Sequence, residues 1–544
     1  MDSSEGRATA GSRRAFLGGV GAMAMIGGAG CVTPESGGVT VDSAAAARIR
    51  DGLEKAGLEP PVETTIYANE GNDERGRWAQ LVQHTLNETG LFEVEFRQLE
   101  WGQYEELFLN MADREENALV TLNLSGGWDP DDFVDMLFHS DNHAPNGLNV
   151  NHFADDTVDG LLDAGRAIAD VDQRRELYQE LQERLIAESP VSILRYGEET
   201  TVYRRDRVDG WQQAPFPGIE YDPVYAPHAD SYVERSDGEE LVVDAISSIS
   251  NPDPVVMHDT TSNMATSLVY EGLLGVDFEG TPRPRLATDW EQLDETTYRF
   301  DLREDVTFHN GEEFTADHVQ FSFDRYEGTP READVFDWYD GVDVLGDHEL
   351  ELTLVQPYGP LETTIGLPIV PLATDDDLDL SETPVGTGPY EFAGRTPGED
   401  WRLERFDDHW FDGTDAVPET PPVERIRIRI LTSGPARQAA LESGELDVST
   451  AIPSGSLDGF ESDEEYGVSQ TMAGEFDFLI YPTYLEPFDR TDVRRGIDQL
   501  LPRERIVEDV YAGRGEPGYV PIPPLLEEYT DPSFEAYIRE EYYD

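Results

Sequence analysis

An α/β fold is the class that this sequence predicts. Short helical and strand patterns alternate along the whole chain, as is typical of α/β proteins. The 544 residues include 38% hydrophobic and 10% aromatic residues, which is enough apolar material for packed cores. At roughly 100–200 residues per domain, this length predicts more than one folding unit. There is no internal repeat and no low-complexity tract.

The first part of the body begins with a predicted helix over 42–57. This segment is rich in alanine, Ile49 and Leu53 lie four residues apart, and Gly57 follows as a C-terminal stop. A long apolar stripe then predicts helix over 156–187. The other predicted elements of this part are a strand over 62–67, a helix over 75–87, a strand over 191–203 and a polar joint over 234–240.

A second α/β stretch is predicted from Leu241 onward. Apolar residues alternate at 298, 300 and 302 and again at 306 and 308, which predicts two strands joined to a turn at Asn310-Gly311. Thr315 is a good N-cap for the helix that follows. Further predicted elements are strands over 349–354 and 425–430 and helices over 435–443 and 490–500.

Charge is the most unusual property of the composition. The chain has 113 acidic and 39 basic residues, a formal net charge of −74, and every basic residue except Lys55 is an arginine. Such a charge argues against nucleic acid and against an anionic membrane surface as partners. The carboxylates are spread along the whole chain. This distribution indicates adaptation to near-saturating salt, where repulsion is screened, as in a halophilic archaeon.

The first 41 residues read as an export and anchoring segment. Arg13 and Arg14 lie in a twin-arginine pattern, so residues 1–30 are expected to be a signal peptide. Small residues lead to Cys31, the only cysteine, in a pattern similar to a lipobox without its usual leucine. A buried free thiol is the alternative for Cys31. We expect lipidation at Cys31, with residues 31–41 as a tether.

Motifs for enzyme chemistry are scarce. The lone lysine excludes a phosphate-binding loop, and neither a Gly-x-Ser-x-Gly elbow nor a His-Glu-x-x-His motif is present. His139, His143 and His152 form a loose group that suits solvated loop residues better than a metal site. The sequence therefore predicts a protein that is not an enzyme and needs no cofactor or metal.

Several motifs resemble those of the extracellular solute-binding proteins of family 5, the peptide/nickel class that serves ABC importers. The matching segments are 270–274 (YEGLL), 286–290 (LATDW), 298–303 (YRFDLR), 306–311 (VTFHNG), 314–319 (FTADHV), 384–390 (PVGTGPY), 441–448 (LESGELDV), 487–488 and 493–494. The resemblance implies a two-lobed fold like that of the periplasmic binding proteins (type II, the large peptide-binding class), with a hinge.

The order of the motifs differs from the family. Segments similar to the end of a family chain come first here, at 128–133 (WDPDDF), 158–162 (VDGLL) and 174–178 (RRELY), whereas the usual opening resembles the chain from Leu241. This order predicts a circular permutant; a rearranged gene, an assembly artefact and two chains exchanging halves are the alternatives. The predicted domains are a first part of lobe II at 42–185, lobe I at 186–483 (the family's C-terminal strand segment at 186–228, a joint at 229–240 and the family's N-terminal region at 241–483) and a second part of lobe II at 484–544.

The resemblance also implies a ligand cleft. Peptide binders of this class pair the free amine with an acidic residue three positions before the Asp-Pro step, and that position is Gly126 here. Trp128 is a candidate ligand-facing aromatic residue, and Asp129 a candidate replacement for the acid; a core tryptophan and a turn residue are the alternatives. Phe476, Phe478 and Tyr481 are candidates for the cleft wall, and Thr387 is a weaker candidate beside the hinge.

The predicted function is solute capture for an ABC transporter permease, by a monomer anchored to the outer face of the cell membrane. A peptide is the favoured ligand. A metal chelate such as a nickel complex, or an oligosaccharide, is the alternative within the same fold, and an exported hydrolase is the alternative in another class.

Overall fold

The structure is a computed structural model that describes residues 44–145, 147–236, 239–257, 259–375 and 378–543. Arg13, Arg14 and Cys31, with the predicted signal and tether, lie outside these residues. The α/β class is confirmed, because helices and strands are interspersed from α1 to the last described helix.

The helices are α1 (Ala44–Ala56), α2 (Asp73–Glu88), α3 (Trp101–Leu109), α4 (Asp131–Phe138), α5 (Asp156–Arg166), α6 (Val171–Glu188), α7 (Thr260–Thr266), α8 (Ala316–Asp324), α9 (Glu332–Phe336), α10 (Leu361–Thr364), α11 (Gly434–Ser443), α12 (Ser454–Glu461), α13 (Thr491–Leu500), α14 (Arg503–Arg505) and α15 (Pro532–Tyr542). Short 3₁₀ or π turns occur at Ser140–Asn142, Asp222–Val224, Pro227–Ala229, Leu372–Asp375 and Ile506–Val510.

The strands are β1 (Val62–Asn69), β2 (Phe92–Leu99), β3 (Ala118–Ser125), β4 (Val191–Arg204), β5 (Val208–Asp209), β6 (Tyr225–Ala226), β7 (Ser231–Tyr232), β8 (Glu234–Arg235), β9 (Glu240–Ala245), β10 (Leu274–Val276), β11 (Pro282–Pro284), β12 (Ala287–Asp294), β13 (Thr297–Leu302), β14 (Tyr339–Gly346), β15 (Glu349–Leu354), β16 (Tyr390–Thr396), β17 (Asp400–Arg405), β18 (Arg425–Ile430), β19 (Val448–Ser449), β20 (Tyr466–Ile480) and β21 (Glu516–Pro517).

The largest sheet has the order β19-β4-β20-β3-β1-β2, with β21 added against β4. β1 pairs in parallel with β2 and β3, whereas β20 is antiparallel to both β3 and β4. Successive side chains of a strand point to opposite faces, so Ile66 packs with α1, α2 and α13, whereas Tyr67 packs with α4, α5 and α6. Helices therefore cover this sheet on both faces.

Two four-stranded sheets belong to the residues that follow the joint. Their orders are β12-β13-β15-β14, which is antiparallel throughout, and β16-β17-β18-β9, in which β18 and β9 are parallel. The inward residues of both sheets share one hydrophobic cluster, which includes Phe300, Leu352, Trp401 and Ile428. Thr315 begins α8 with a capping box to His318, as the sequence predicted for this N-cap.

β4 and β20 are the longest strands among the described residues, with 14 and 15 residues. Their ends near Ile193 and Ile480 pack in the helix-covered sheet, whereas their opposite ends, near Val202 and Tyr466, pack against α11 and α12. A register shift interrupts their pairing between Met472 and Phe476. The two strands thus connect two separate packing regions.

Two predicted elements differ from the structure. The predicted helix over 156–187 is wrong as one unit, because α5 ends at Arg166 and α6 begins at Val171. Asp170 has extended backbone and its side chain accepts a hydrogen bond from the Gln173 N–H at 2.9 Å, so it starts a new helix. The predicted strand at Val306 and Phe308 is also wrong: only an isolated bridge from Thr307 to Glu313 forms there.

The first described helix and the last described residues contact the same helix, α13. Helix α1 lies so close that a Cβ on Gly496 would be 2.9 Å from the Ala45 carbonyl oxygen. The Tyr542 carbonyl accepts hydrogen bonds from Arg495 Nη2 at 3.1 Å and from Gln499 at 2.5 Å. The two ends of the described chain are therefore neighbours in space.

Candidate functional site

A cavity of about 370 Å³ lies beside the middle of β4 and β20. Its walls come from distant parts of the sequence, namely the start of α2, β3, the two long strands, the segment that leads into α12, and residues near 511–514. Its charged lining residues are Glu74, Arg75, Arg195, Glu198, Glu199, Arg437, Glu475, Asp477 and Arg514. The cavity therefore presents fixed charges of both signs.

Arg75 supplies a positive charge that no carboxylate neutralises. Its side chain donates to Asn69 Oδ1 at 2.8 Å and to Asn123 Oδ1, and its Nε has no hydrogen-bond partner among the described residues. The residue is only 4% exposed, and no ion pair to it forms within the described part of the chain. A buried guanidinium held only by amide oxygens retains a strong attraction for an anion.

The opposite wall is acidic. Glu475 Oε2 lies 3.5 Å from both Ser125 Oγ and Asn123 Nδ2, so one asparagine side chain connects Arg75 with Glu475. Burial raises the pKa of Glu475. Burial, with the neighbouring charges of Glu475 and Glu220, raises the pKa of Glu199 to about 8. A cationic group in this place would favour the ionised carboxylates.

Asp477 and Arg195 form the floor of the cavity, between Arg75 and the acidic wall. Their ion pair is 3.3 Å long, the Tyr511 hydroxyl donates to Asp477 at 3.0 Å, and the Arg195 guanidinium stacks on the Tyr511 ring at 3.7 Å. The charges of Asp477 and Arg195 are therefore paired with each other. These residues shape the cavity without offering an unpaired charge to a ligand.

Polar contacts across the cavity connect helix α12 with α2 and with Arg514. Ser454 donates to Glu74 of α2 at 3.1 Å. Arg514 pairs with Asp458 at 3.1 Å and with Glu461 at 2.9 Å. The carboxylates of Asp458 and Glu461 are solvent-exposed, which weakens each ion pair, so these pairs suit a contact that forms and opens.

Trp128 lies against two other segments of the chain. Its ring meets Phe216 edge-on, with 4.8 Å between centroids, and it covers Gly280, where a Cβ would be 2.9 Å away. The side chain is only partly buried. The neighbouring Phe216 ring in turn packs directly on Gly474, next to Glu475. Among the aromatic candidates, Trp128 is thus the one that retains exposed surface.

The sequence proposed Asp129 as the acid that pairs with the ligand amine, but the structure shows it paired within the protein. The carboxylate is 2% exposed, and both of its oxygens accept hydrogen bonds from Arg174 at 2.7 Å. Asp129 Oδ1 also accepts from the Asp131 N–H at 2.9 Å. The structure therefore provides Asp129 with an internal partner, and a ligand contact by this residue stays a prediction.

The remaining candidates are buried side chains. Phe476 and Phe478 pack in the hydrophobic cluster on the α4–α6 face of the large sheet. Tyr481 is in hydrogen-bond contact with Ser192 at 2.6 Å. Thr387 donates to Glu271 at 2.9 Å, which joins two of the sequence motifs, YEGLL and PVGTGPY. None of these four residues lines the charged cavity, and their contact with a ligand stays a prediction.

Sequence reasoning missed Arg75, Glu199 and Glu475. Acidic residues are so frequent in this chain that single glutamates carry no signal. Arg75 did offer one, because a cation in the first turn of a helix is disfavoured by the helix dipole. An arginine in that position therefore indicates a specific partner.

The histidine group is occupied by local contacts. His143 and His152 stack with 4.6 Å between ring centroids, and each contacts a backbone carbonyl, of Phe153 and Ala144 respectively. His139 pairs with Asp163 at 3.5 Å. Within the described ranges, no group of three or more potential ligands is arranged to hold a metal ion.

Comparisons with known proteins support the resemblance. Residues 281–544 match the family model described as bacterial extracellular solute-binding proteins, family 5 middle. The glutathione-binding protein GsiB of Salmonella paratyphi A is 24% identical over 299 residues, which cover 53% of this chain and 57% of that protein. The protein of the same name from Escherichia coli is 24% identical over 297 residues, with the same coverage. The chain spans little more than half the length of these relatives.

Two solved structures are similar to part of the chain. DppA from Helicobacter pylori, in complex with the peptide STSA, is 25% identical with a TM-score of 0.38, over 41% of this chain and 49% of that one. NikZ from Campylobacter jejuni, in complex with Ni(L-His), is 23% identical with a TM-score of 0.38, over 42% of this chain and 46% of that one. In the described part of the chain, no helix is both long and apolar enough to cross a membrane.

Proposed function

We propose that this chain is a non-enzymatic solute-binding protein of family 5 that delivers a small zwitterionic solute, preferably a short peptide, to an ABC transporter permease. The observation that carries the proposal is the cavity beside β4 and β20, with an unneutralised Arg75 on one side and the half-buried Glu475 and Glu199 on the other. A peptide with free ends carries both complementary charges, an ammonium and a carboxylate.

Two lobes with a hinge form part of the proposal. β4 and β20 connect two packing regions, and the contacts of α12 with Glu74 and Arg514 are weak enough to open. Closure on a ligand by rotation about two connecting strands is a known mode of domain motion. The lobes would follow the predicted boundaries at 42–185, 186–483 and 484–544.

The place of action is also proposed. Binding proteins of this family work outside the cell membrane, which agrees with a twin-arginine signal at Arg13 and Arg14 and a lipid anchor at Cys31. A single lipidated monomer would then present its ligand to the permease. A nickel chelate or an oligosaccharide remains the alternative solute.

A ligand screen by thermal shift in molar KCl tests the function. With a peptide at about 100 times its Kd, the stabilisation is about 2.7 kcal/mol, which raises the melting temperature by roughly 2–3 °C for a chain of this size. Arg75→Ala and Glu475→Gln should each weaken peptide binding by roughly tenfold or more. Arg77→Ala is the matched control, because this arginine lies in the same helix with its side chain 52% exposed.

The outcome against the proposal is equally clear. If the melting temperature does not change with peptides but rises with nickel–histidine or an oligosaccharide, that compound replaces the peptide as the proposed ligand. If peptide binding is unchanged in both Arg75→Ala and Glu475→Gln, the ligand site does not lie in this cavity.

Circular permutation is the second part of the proposal. The contacts of α13 with both α1 and Tyr542 support it, because they bring the ends of the described chain together. A chain with residues 544 and 42 joined and new ends within 236–239 should melt within roughly 5 °C of the original, since it keeps the same contacts. A chain opened between Ile480 and Tyr481 should fail to fold. Loss of folding in the first chain would refute the permutation.

A further inference from the structure

A second cavity, of about 510 Å³, lies between helix α6, residues 516–531 and the start of α15. This volume is within the range of about 300–1,000 Å³ that is typical of ligand sites. None of its lining residues lines the charged cavity. Successive side chains of a strand point to opposite faces: Arg195 lines the charged cavity, whereas the Tyr196 hydroxyl donates to the Val520 carbonyl at 3.0 Å, in the wall of the second cavity. The two cavities therefore lie on different sides of β4.

The charged residues that line the second cavity are all acidic, namely Glu516, Glu527, Asp531 and Glu535. Asp531 accepts from the Ser533 N–H at 2.8 Å as the N-cap of α15. The three glutamates form no ion pair and no side-chain hydrogen bond with any residue that the structure describes. Glu535 is half-buried, and its burial, together with the charge of Glu516, raises its pKa. A cation between these carboxylates would relieve their repulsion.

Two arginines act on these acids from outside the lining of the cavity. Arg539 lies near Glu535, but its guanidinium stacks on the Tyr519 ring at 4.7 Å and forms no ion pair with Glu535. Arg175 lies near the N-cap of α15, but it is paired with Asp172 at 2.6 Å. The four acids of the cavity therefore keep an excess of negative charge.

Gln182 brings a buried neutral donor to the same cavity. The residue is 1% exposed, and its Oε1 accepts a long hydrogen bond of 3.4 Å from the Ile522 N–H. Its amide nitrogen has no hydrogen-bond partner among the described residues. A buried donor without an acceptor costs free energy, so the cavity lacks an acceptor that a ligand can supply. Val520, Ile522 and Phe534 add apolar wall beside this donor.

We infer that the second cavity binds a lysine or arginine side chain from an exposed segment of a partner protein. The ammonium or guanidinium group would lie among the four acids, and the methylene stem on the apolar wall. A main-chain carbonyl of the segment would accept from Gln182 Nε2. A free amino acid fits less well, because the acids repel its carboxylate, whereas a peptide carbonyl is a neutral acceptor. The site does not depend on the solute proposed for the charged cavity.

Calorimetric titration of the full chain in molar KCl tests the site with two peptides blocked at both ends, acetyl-Gly-Arg-Gly-amide and acetyl-Gly-citrulline-Gly-amide. Arginine and citrulline have nearly the same shape and differ by one positive charge. The wild type should bind the arginine peptide roughly fivefold or more tightly than the citrulline peptide. Glu535→Gln should remove this preference and leave binding of the citrulline peptide unchanged. Glu540→Gln, at an exposed position of the same helix, is the matched control.

The outcomes separate this site from the charged cavity. Equal binding of the two peptides by the wild type, or no binding of either, overturns the inference. Glu516→Gln repeats the test should Glu535→Gln not fold, and an arginine preference that persists in the folded variant also overturns it. Binding of the arginine peptide that is unchanged in Arg75→Ala supports the second cavity, whereas its loss places the peptide in the charged cavity. None of these results decides the proposed function, because blocked peptides lack the free ends that it requires.

Discussion

Replacing Arg174 with methionine should lower the free energy of unfolding by roughly 3–5 kcal/mol, the cost of leaving one member of a buried ion pair alone. Arg174 is 1% exposed and Asp129 is 2% exposed. Besides its two bonds to Asp129, Arg174 donates to the Tyr529 hydroxyl at 2.7 Å and to the Gly165 carbonyl at 2.9 Å. One side chain thus joins the loop before α4, the end of α5 and the segment before α15.

Urea unfolding in molar KCl measures this loss. The double variant Arg174→Met, Asp129→Asn should recover part of it, because it removes the uncompensated charge. Arg77→Met should change stability by no more than about 0.5 kcal/mol, as expected for an exposed site. A loss below about 1 kcal/mol in the single variant would show that Asp129 finds another partner, and the predicted ligand contact by Asp129 would then gain support.

Local patterns explain which parts of this fold the sequence predicts well. The helix over 42–57 appears as α1, and the strand over 425–430 appears as β18 with identical bounds. Both are set by neighbouring residues: an apolar spacing and a glycine stop in the first, and alternation in the second. The predicted single helix over 156–187 failed because one capping side chain, Asp170, outweighs a stripe that continues past it.

Long-range pairing explains what the sequence could not show. Thr387 and Glu271 meet across more than a hundred residues, which gives a motif residue a structural partner instead of a place in a cleft. The charged cavity depends on β4 and β20 lying side by side, and no local pattern encodes that pairing. Of the cavity residues that sequence reasoning missed, only Arg75 gave a local sequence signal, namely its position in the first turn of α2.

Lowering the salt concentration should have the largest effect of all. The net charge of −74 is spread over a surface whose ion pairs use only part of the carboxylates. The Debye length grows from about 3 Å at 1 M to about 10 Å at 0.1 M salt, so distant carboxylates begin to repel one another. At about 0.2 kcal/mol for each excess charge, the total repulsion is on the order of 10 kcal/mol, comparable with the 5–15 kcal/mol that stabilises most proteins.

The protein is therefore expected to be folded in about 2 M KCl and to unfold at room temperature in about 0.1 M KCl, as followed by circular dichroism. An uncharged osmolyte at equal osmolality separates screening from hydration: if screening of repulsion dominates, sucrose should not restore the fold, whereas far less MgCl₂ than KCl should, because a divalent cation screens more strongly. A fold that persists unchanged in 0.1 M KCl would contradict the adaptation to salt. The acidic surface would then require another explanation, such as a cationic partner on the outer face of the membrane.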